Sequence, residues 1–505
     1  MKDVNPQITR RQLLRSAGVG VAGLALTGTI GEIIGGALGS SSSRAASSPV
    51  PPAAPRWHTR PDLRIPALTV NHSEQGVSSD PIFIAPYNAP NAQAGAVIAD
   101  NSGEAIWENP VADKVTTNFQ VQRYRGSPVL TWWEGSIELG HGVGEYVIAD
   151  ASYRTVRRVQ AAGGLRGDLH EFVITPRGTA LLTSYVVRDH DLSSVGGSRG
   201  GTIQDAIFQE VDLASGRLLL EWHSLDHIPL AESYAGVTAD WDFFHINSVG
   251  LDGDGNLLVS GRSTHTVYKL DRSGAILWRL GGKRSDFNMG AGARFAWQHD
   301  ARRQPDGTLT VFDNGATPAV EKLSRGLILD VDERAMTATL LNQYTHPGIL
   351  AGSQGSTQLL PNGNVFVGWG EVPRVSEFNH AGQIVFDATL GEKYECYRAF
   401  RLPWTGTPAD APAIALAGAG RELTAYASWN GATEVHSWQL LAGGSSGSSG
   451  SSGGSLGPVA SVPASGFESA LPAAAAAEPG ARLAVQALDA DGASLGRSKV
   501  IAAAS

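Results

Sequence analysis

WDFFHINSVGLDGDGNLLVSGRSTHTVYKLDRSGAILWRLGG (241–282) and WQHDARRQPDGTLTVFDNG (297–315) carry the pattern that decides the fold. In each, a histidine (His245 or His299) opens a short apolar run that enters an Asp/Gly turn and leaves it as a second apolar run. Alternating apolar residues on both sides of a tight turn specify a β-hairpin. In the first segment a second hairpin, VYKLDRSGAILWRLGG (267–282), follows directly, so four strands come in succession.

Working outward, the unit recurs from residue 80 to about 400 with a period of roughly 50–60 residues, the range of propellers and solenoids. One half is an apolar strand, a polar turn with Gly, and an apolar strand often closed by Trp. Its copies are 96–108, 146–159, 207–222, 267–282, 319–331 and 374–390. The other half is a strand, a Pro/Asp/Gly turn and a strand, at 173–185, 249–262, 302–315 and 357–370, with 122–133 a weaker copy. No long stretch has helical periodicity. The expected fold is all-β: six four-stranded blades forming a six-bladed β-propeller over 80–404, with KYECYRAFRLPW (393–404) completing the ring. Residues 405–505 read as strands of a small C-terminal β-sandwich of fibronectin or immunoglobulin type, interrupted by a Gly/Ser loop at 443–455.

At 505 residues the chain is too long for one ordinary compact domain unless that domain is a repeat array. The single cysteine, Cys396, excludes an internal disulfide framework and any multi-cysteine metal site, and is read as a packing residue. The net charge is −9, and residues 1–47 hold five basic and two acidic residues, so the remainder is more acidic still. An acidic surface argues against a nucleic-acid partner, which needs a positive footprint. TRRQLLR followed by a Gly/Ala-rich apolar stretch has the layout of a twin-arginine export signal over 1–47, with a linker over 48–79. Glu32 and the many glycines make that stretch a poor permanent membrane span, so the mature protein is expected in the periplasm, on the cell surface or secreted.

Aligning the units on the first hairpin's turn places His170, His245 and His299 each eight residues before a glycine: Gly178, Gly253 and Gly307. Three successive blades thus start the same strand with histidine. The corresponding place in blade six is Gly355, beside Gln354. Arg262 ends the second strand of its hairpin, and an antiparallel pairing brings that end beside the start of the first. Asn314 and Tyr185 hold the equivalent position in blades five and three. These residues are expected to converge at the axial mouth. Three imidazoles suit zinc, but a neighbouring Arg repels a cation and favours a tetrahedral anion such as sulfate or phosphate. No metal and no cofactor are therefore expected. His190, His223, His227, His265, His346, His380 and His436 lie off the register and read as surface or packing residues.

At DFFHINSVGLDGDGNLLVSGRS, WQHDARRQPDGTLTVFDNG and QGSTQLLPNGNVFVGWG the chain resembles the arylsulfotransferase family, over roughly residues 80–400. The resemblance implies a six-bladed propeller and sulfuryl transfer, without the nucleotide sulfate donor, from a phenolic sulfate ester to a phenolic acceptor. It implies a ping-pong reaction through a sulfohistidine. On the matching motifs, His299 takes the place of the nucleophile and His245 that of the acid and base toward the phenol oxygen. Arg262 and His170 take the places of the groups holding the sulfate oxygens. The paired cysteines of some relatives are absent. Two rivals stand beside this reading: a non-catalytic exported propeller that binds a ligand or cell-wall polymer, and a quinoprotein-type dehydrogenase, suggested by VDLASGRLLLEW.

Overall fold

A computed structural model of the chain describes residues 56–503 except 67, 89–92, 139, 392 and 445–454. The expected export signal and most of the Gly/Ser loop lie outside the described residues. Regular structure in the described chain is almost all β-strand; its one α-helical turn is Ser224–His227. No helix among the described residues is long and apolar enough to cross a membrane.

Six sheets follow one another along the chain, antiparallel except for one short parallel edge strand in the fifth. The second runs in order through Val115–Tyr124, Ser127–Glu138, His141–Ala149 and Thr155–Val159, and the third through Phe172–Ile174, Thr179–His190, Gly201–Asp212 and Leu218–His223. The fourth comprises Ile246–Leu251, Leu257–Gly261, Thr266–Leu270 and Ile276–Gly281. The fifth has His299–Arg303, Leu309–Asp313, Arg325–Asp332 and Thr337–Thr345, with Asn288–Met289 on its far edge. The sixth has Ser356–Leu359, Val365–Gly368, Arg374–Phe378 and Ile384–Thr389. The first is composite: Phe400–Arg401, from the end of the repeats, pairs with Ile82–Ile84, which continues into Gly95–Ala99 and Ala105–Pro110.

Neighbouring sheets share cores because successive strand residues face opposite ways. Leu182 packs with the second sheet's Trp133 and Tyr146, while Leu181 packs with the fourth sheet's Val259 and Tyr268. Leu258 and Trp278 join the fifth sheet's Val311 and Leu327; Phe312 and Tyr344 join the sixth sheet's Val367 and Trp369. Phe366 and Phe386 meet Ile82 and Ile84 of the first sheet, whose Phe83 and Ile98 meet Phe119 and Trp132 of the second. The series of shared cores returns to its start, a propeller-like arrangement. Each sheet's Trp or Phe in such a core is worth about 3–5 kcal/mol against truncation to Ala.

Two stretches differ from the sequence reading. The stretch expected as a linker carries a strand, Thr69–Ser73, that pairs with Ile384–Thr389 as a fifth strand of the sixth sheet. Leu63, Ile65 and Leu68 before it are buried, and Trp57 stacks on Phe467 at 4.7 Å. In the fifth sheet the second hairpin is Arg325–Asp332 with Thr337–Thr345, not 319–331. Gly326 had suggested the turn, but it lies within a strand. A Cβ there would come within 3.0 Å of Thr357 Oγ1 on the next sheet, so the glycine serves close approach of two sheets. The true turn follows Asp332, whose carboxylate accepts from the Arg334 and Ala335 N–H groups.

Beyond residue 412 come a three-stranded sheet, Ala413–Ala417, Thr424–Ser428 and Glu468–Pro472, and a five-stranded one built on Ser437–Gly443 and Arg482–Leu488. They share a core that includes Ala425, Trp438, Leu440, Leu471 and Val485. The Asn430 side chain accepts from the Glu108 N–H and donates to the Glu108 carbonyl, both at 2.9 Å, joining this region to the first sheet.

Candidate active site

The first strands of the third, fourth and fifth sheets begin at or just after His170, His245 and His299. The common register expected from the turns brings them together. The rings of His170 and His245 lie 4.8 Å apart, and those of His245 and His299 6.2 Å apart. Arg262 lies beside them as the hairpin geometry requires: its N–H donates to the His245 carbonyl at 2.9 Å. His245, His265, Trp297 and Gln354 all have positive φ without being glycine, so backbone strain gathers here.

Each imidazole has its own partner. His170 Nδ1 lies 2.7 Å from Asp168 Oδ2. The same carboxylate accepts from the His170 N–H, the Thr183 hydroxyl and the Gly142 N–H, all buried. His170 and other neighbours hold the Asp168 carboxyl well below the usual range in spite of its burial. His245 Nδ1 bonds the Asp242 carboxylate, in a short contact. His299 Nδ1 instead meets a neutral group, Asn314 Oδ1, at 2.7 Å. The Asn314 amide nitrogen donates to the carbonyls of Ala351 and Gln354, at 3.1 and 3.0 Å. Its oxygen must therefore accept, and His299 carries its proton on Nδ1. Nε2 is then a lone pair, and accepts from the Gln354 N–H at 3.2 Å.

Burial, and then the charge of Arg262, hold His299 well below the ordinary imidazole pKa, so it is neutral. Burial also drives His245 down, to about 4, against the pull of Asp242. Arg262 Nη2 donates to the Gly352 carbonyl at 2.9 Å, and its guanidinium lies 4.9 Å over the Trp297 ring. Its Nε is buried with no hydrogen-bond partner. Tyr185 reaches the cluster differently from expectation. Its hydroxyl donates to the Ile246 carbonyl at 2.8 Å, and its ring stacks at 3.7 Å on another histidine.

That histidine, His141, was missed by the sequence reading. It starts a third strand rather than a first. The hairpin Ser127–Glu138 with His141–Ala149 is long enough to pair Glu138 with His141 at its tip, and this reaches over from the second sheet. His141 lies 5.4 Å from His245 and 5.8 Å from His170, ring to ring. Its Nε2 is 3.3 Å from Asp242. Burial opposes its protonation, but Asp242 prevails and raises it. The available signal was the glycine alternation in GHGVGEY: a Cβ at Gly142 would strike the Leu169 backbone nitrogen.

Arg398, from the segment that closes onto the first sheet, was also missed. It is fully buried, 3.1 Å from Glu171 and 3.2 Å from Asp300, the residues that follow His170 and His299. It also donates to Asn118 Oδ1 and to the Asn247 carbonyl. One guanidinium thus ties the second, third, fourth and fifth sheets together next to the histidine cluster.

Residues 120–391 match the family model described as Arylsulfotransferase (ASST). No curated protein matches the chain. Among solved structures, it is similar to a protein of unknown function from Bacteroides caccae, with a TM-score of 0.40 and 13% identity over 64% of this chain and 98% of that one. It is also similar to virginiamycin B lyase from Staphylococcus aureus, with a TM-score of 0.34 and 8% identity over 72% of this chain and 96% of that one.

Proposed function

Given that the chain belongs to the arylsulfotransferase family, we propose that it moves a sulfuryl group from a phenolic sulfate ester to a phenolic acceptor, through a sulfohistidine on His299. The observation that carries this reading is the state of His299: neutral, its proton committed to Asn314, its ring depressed by Arg262 and by the neighbouring His245 and His170. A nucleophilic imidazole needs that lone pair. Attack forms the Nε2–S bond as the bond from sulfur to the aryl oxygen breaks. The first aryl oxygen leaves as a phenolate; the acceptor phenol then gives its proton to His245 as its oxygen bonds sulfur and the N–S bond breaks, restoring His299, and His245 passes that proton to the released phenolate or to water.

Arg262 and His170 meet the sulfuryl oxygens in this scheme, and the unpartnered Arg262 Nε supports that use. The Gln354 N–H, released from Nε2, becomes a further donor. His245 handles the phenol proton. At rest it is neutral, a base ready for the acceptor, while the same Asp242 carboxylate raises His141 against its burial. We read the six sheets as blades of a six-bladed propeller, on the strength of the shared cores, and the two C-terminal sheets as a β-sandwich. The export route and an extracytoplasmic location rest on Arg10-Arg11 and the apolar stretch after them.

The test is incubation of the purified protein with 4-nitrophenyl sulfate and a phenol. Nitrophenol release is expected to require the acceptor and to vanish in His299→Ala. A wild type inert toward a panel of aryl sulfates, or a fully active His299→Ala, overturns the reading.

A further inference from the structure

The three imidazoles that lie closest together are not the three that share a register. They are His141, His170 and His245, whose ligand-capable atoms all lie within 4.8 Å of one another. Their ring centroids are 4.8, 5.4 and 5.8 Å apart. A tetrahedral zinc ion with Zn–N bonds of about 2.0–2.1 Å holds ring centroids about 5.2 Å apart, so the backbone already sets the spacing of a three-histidine site. The same tetrahedron needs its nitrogens about 3.3 Å apart, so the rings close in from a spacing within 4.8 Å when the ion binds.

Two further observations point to a cation. His170 and His245 each place Nδ1 on a carboxylate, Asp168 and Asp242, an arrangement that in a neutral ring makes Nε2 the lone-pair nitrogen. That is the carboxylate–histidine arrangement that orients metal-binding imidazoles and strengthens them as ligands. The third ring, His141, is 4% exposed; its Nε2 lies 3.3 Å from Asp242 without a well-formed hydrogen bond, and its Nδ1 has no hydrogen-bond partner. A buried ring nitrogen without a partner is costly unless something fills the place. The two carboxylates also outweigh the single charge of Arg262, which on its own argued for an anion.

We propose that His141, His170 and His245 form a binding site for one zinc-class divalent cation, with its fourth position open. The site is independent of the sulfuryl-transfer reading. Where both hold, a bound cation occupies the His245 nitrogen that handles the phenol proton, so it suppresses transfer.

The full chain, stripped with a chelator, is loaded with Zn²⁺, desalted and assayed for metal by mass spectrometry, with Co²⁺ loading read by visible absorption. One equivalent of zinc is expected, together with the intense visible bands of tetrahedral cobalt. His141→Ala and His170→Ala should lose both, and the exposed control His436→Ala should keep both. Asp168→Asn should weaken binding about 10–100-fold while the three ligands stay in place. This variant and the wild-type cobalt spectrum decide the matter even where a histidine variant does not fold. No retained metal, an octahedral cobalt spectrum, or zinc retained in full by both histidine variants overturns the site. Transfer is measured separately in chelator. A chain that binds zinc and transfers nothing refutes the enzyme reading alone, and one that transfers but holds no zinc refutes the cation site alone.

Discussion

Asn314→Asp changes one atom and tests whether the neutrality of His299 is what the site depends on. The wild-type amide oxygen lies 2.7 Å from His299 Nδ1 and brings no charge. The aspartate would recreate at His299 the pairing that His170 has with Asp168, also at 2.7 Å. A unit charge about 4 Å from the imidazolium centre, at an effective dielectric near 20, is worth about 4 kcal/mol. That is about three pKa units in favour of the charged ring. In the wild type, burial and Arg262 depress His299, so it stays neutral as pH falls through the ordinary imidazole range, and the rate has no acid limb from this group there. In Asn314→Asp the raised pKa moves that limb upward. Below it the nucleophile is protonated, and kcat/KM falls about tenfold per pH unit. The assay is acceptor-dependent nitrophenol release from pH 5 to 9 in both proteins. If the two profiles superimpose after scaling, Asn314 does not control the charge on His299 and the nucleophile assignment loses its support.

Arg398→Met removes the fully buried one of the two cations that meet Glu171 and Asp300, leaving both carboxylates to the partly exposed Arg302. A loss of about 3–5 kcal/mol in unfolding free energy is expected by denaturant titration, and a loss under 1 kcal/mol would show that the network is not buried as described. Cys396 is buried and its thiol pushed up to about 12, so iodoacetamide should leave the native protein unmodified at neutral pH and label it once unfolded; rapid native labelling would place the closing segment at the surface.

The sheets were legible because their information is local. Each hairpin announces itself by a turn and by alternation, and a repeated unit multiplies the signal. The expectation failed at Gly326, where a glycine needed for close approach between sheets imitates a turn glycine. It also failed at Thr69–Ser73, a mostly exposed strand that has too little apolar alternation to declare itself and forms because the sixth sheet offers an edge. In the site, His170, His245, His299, Arg262 and Asn314 could be placed by register alone. His141 could not: its approach depends on the length of one hairpin, and strand ends are poorly defined by sequence. Arg398 could not either, since its partners lie on other sheets and are distant in sequence.

The roles within the cluster were legible still less, for a physical reason. Three sheets put the same residue type at the same place, so register cannot tell them apart. What differs is the group opposite Nδ1. In the third and fourth sheets it is a carboxylate from the turn just before the strand, two residues ahead of His170 and three ahead of His245. In the fifth sheet those two places are Trp297 and Ala296, which offer no acceptor side chain, and the partner comes from the end of the next strand, Asn314. The fourth sheet puts Arg262 at that same strand end, where its Nη2 reaches the Gly352 carbonyl and its charge still depresses His299. One pair of positions is thus filled as acid and Arg in one sheet and as apolar residue and amide in the next. The first filling makes a well-oriented imidazole that can share a proton or a metal ion; the second makes an uncharged imidazole whose Nε2 lone pair accepts from the Gln354 N–H. Setting like residues apart by their environments is how a site assigns different tasks to one side-chain type, and it is the ground on which His299, alone of the four, is proposed as the nucleophile.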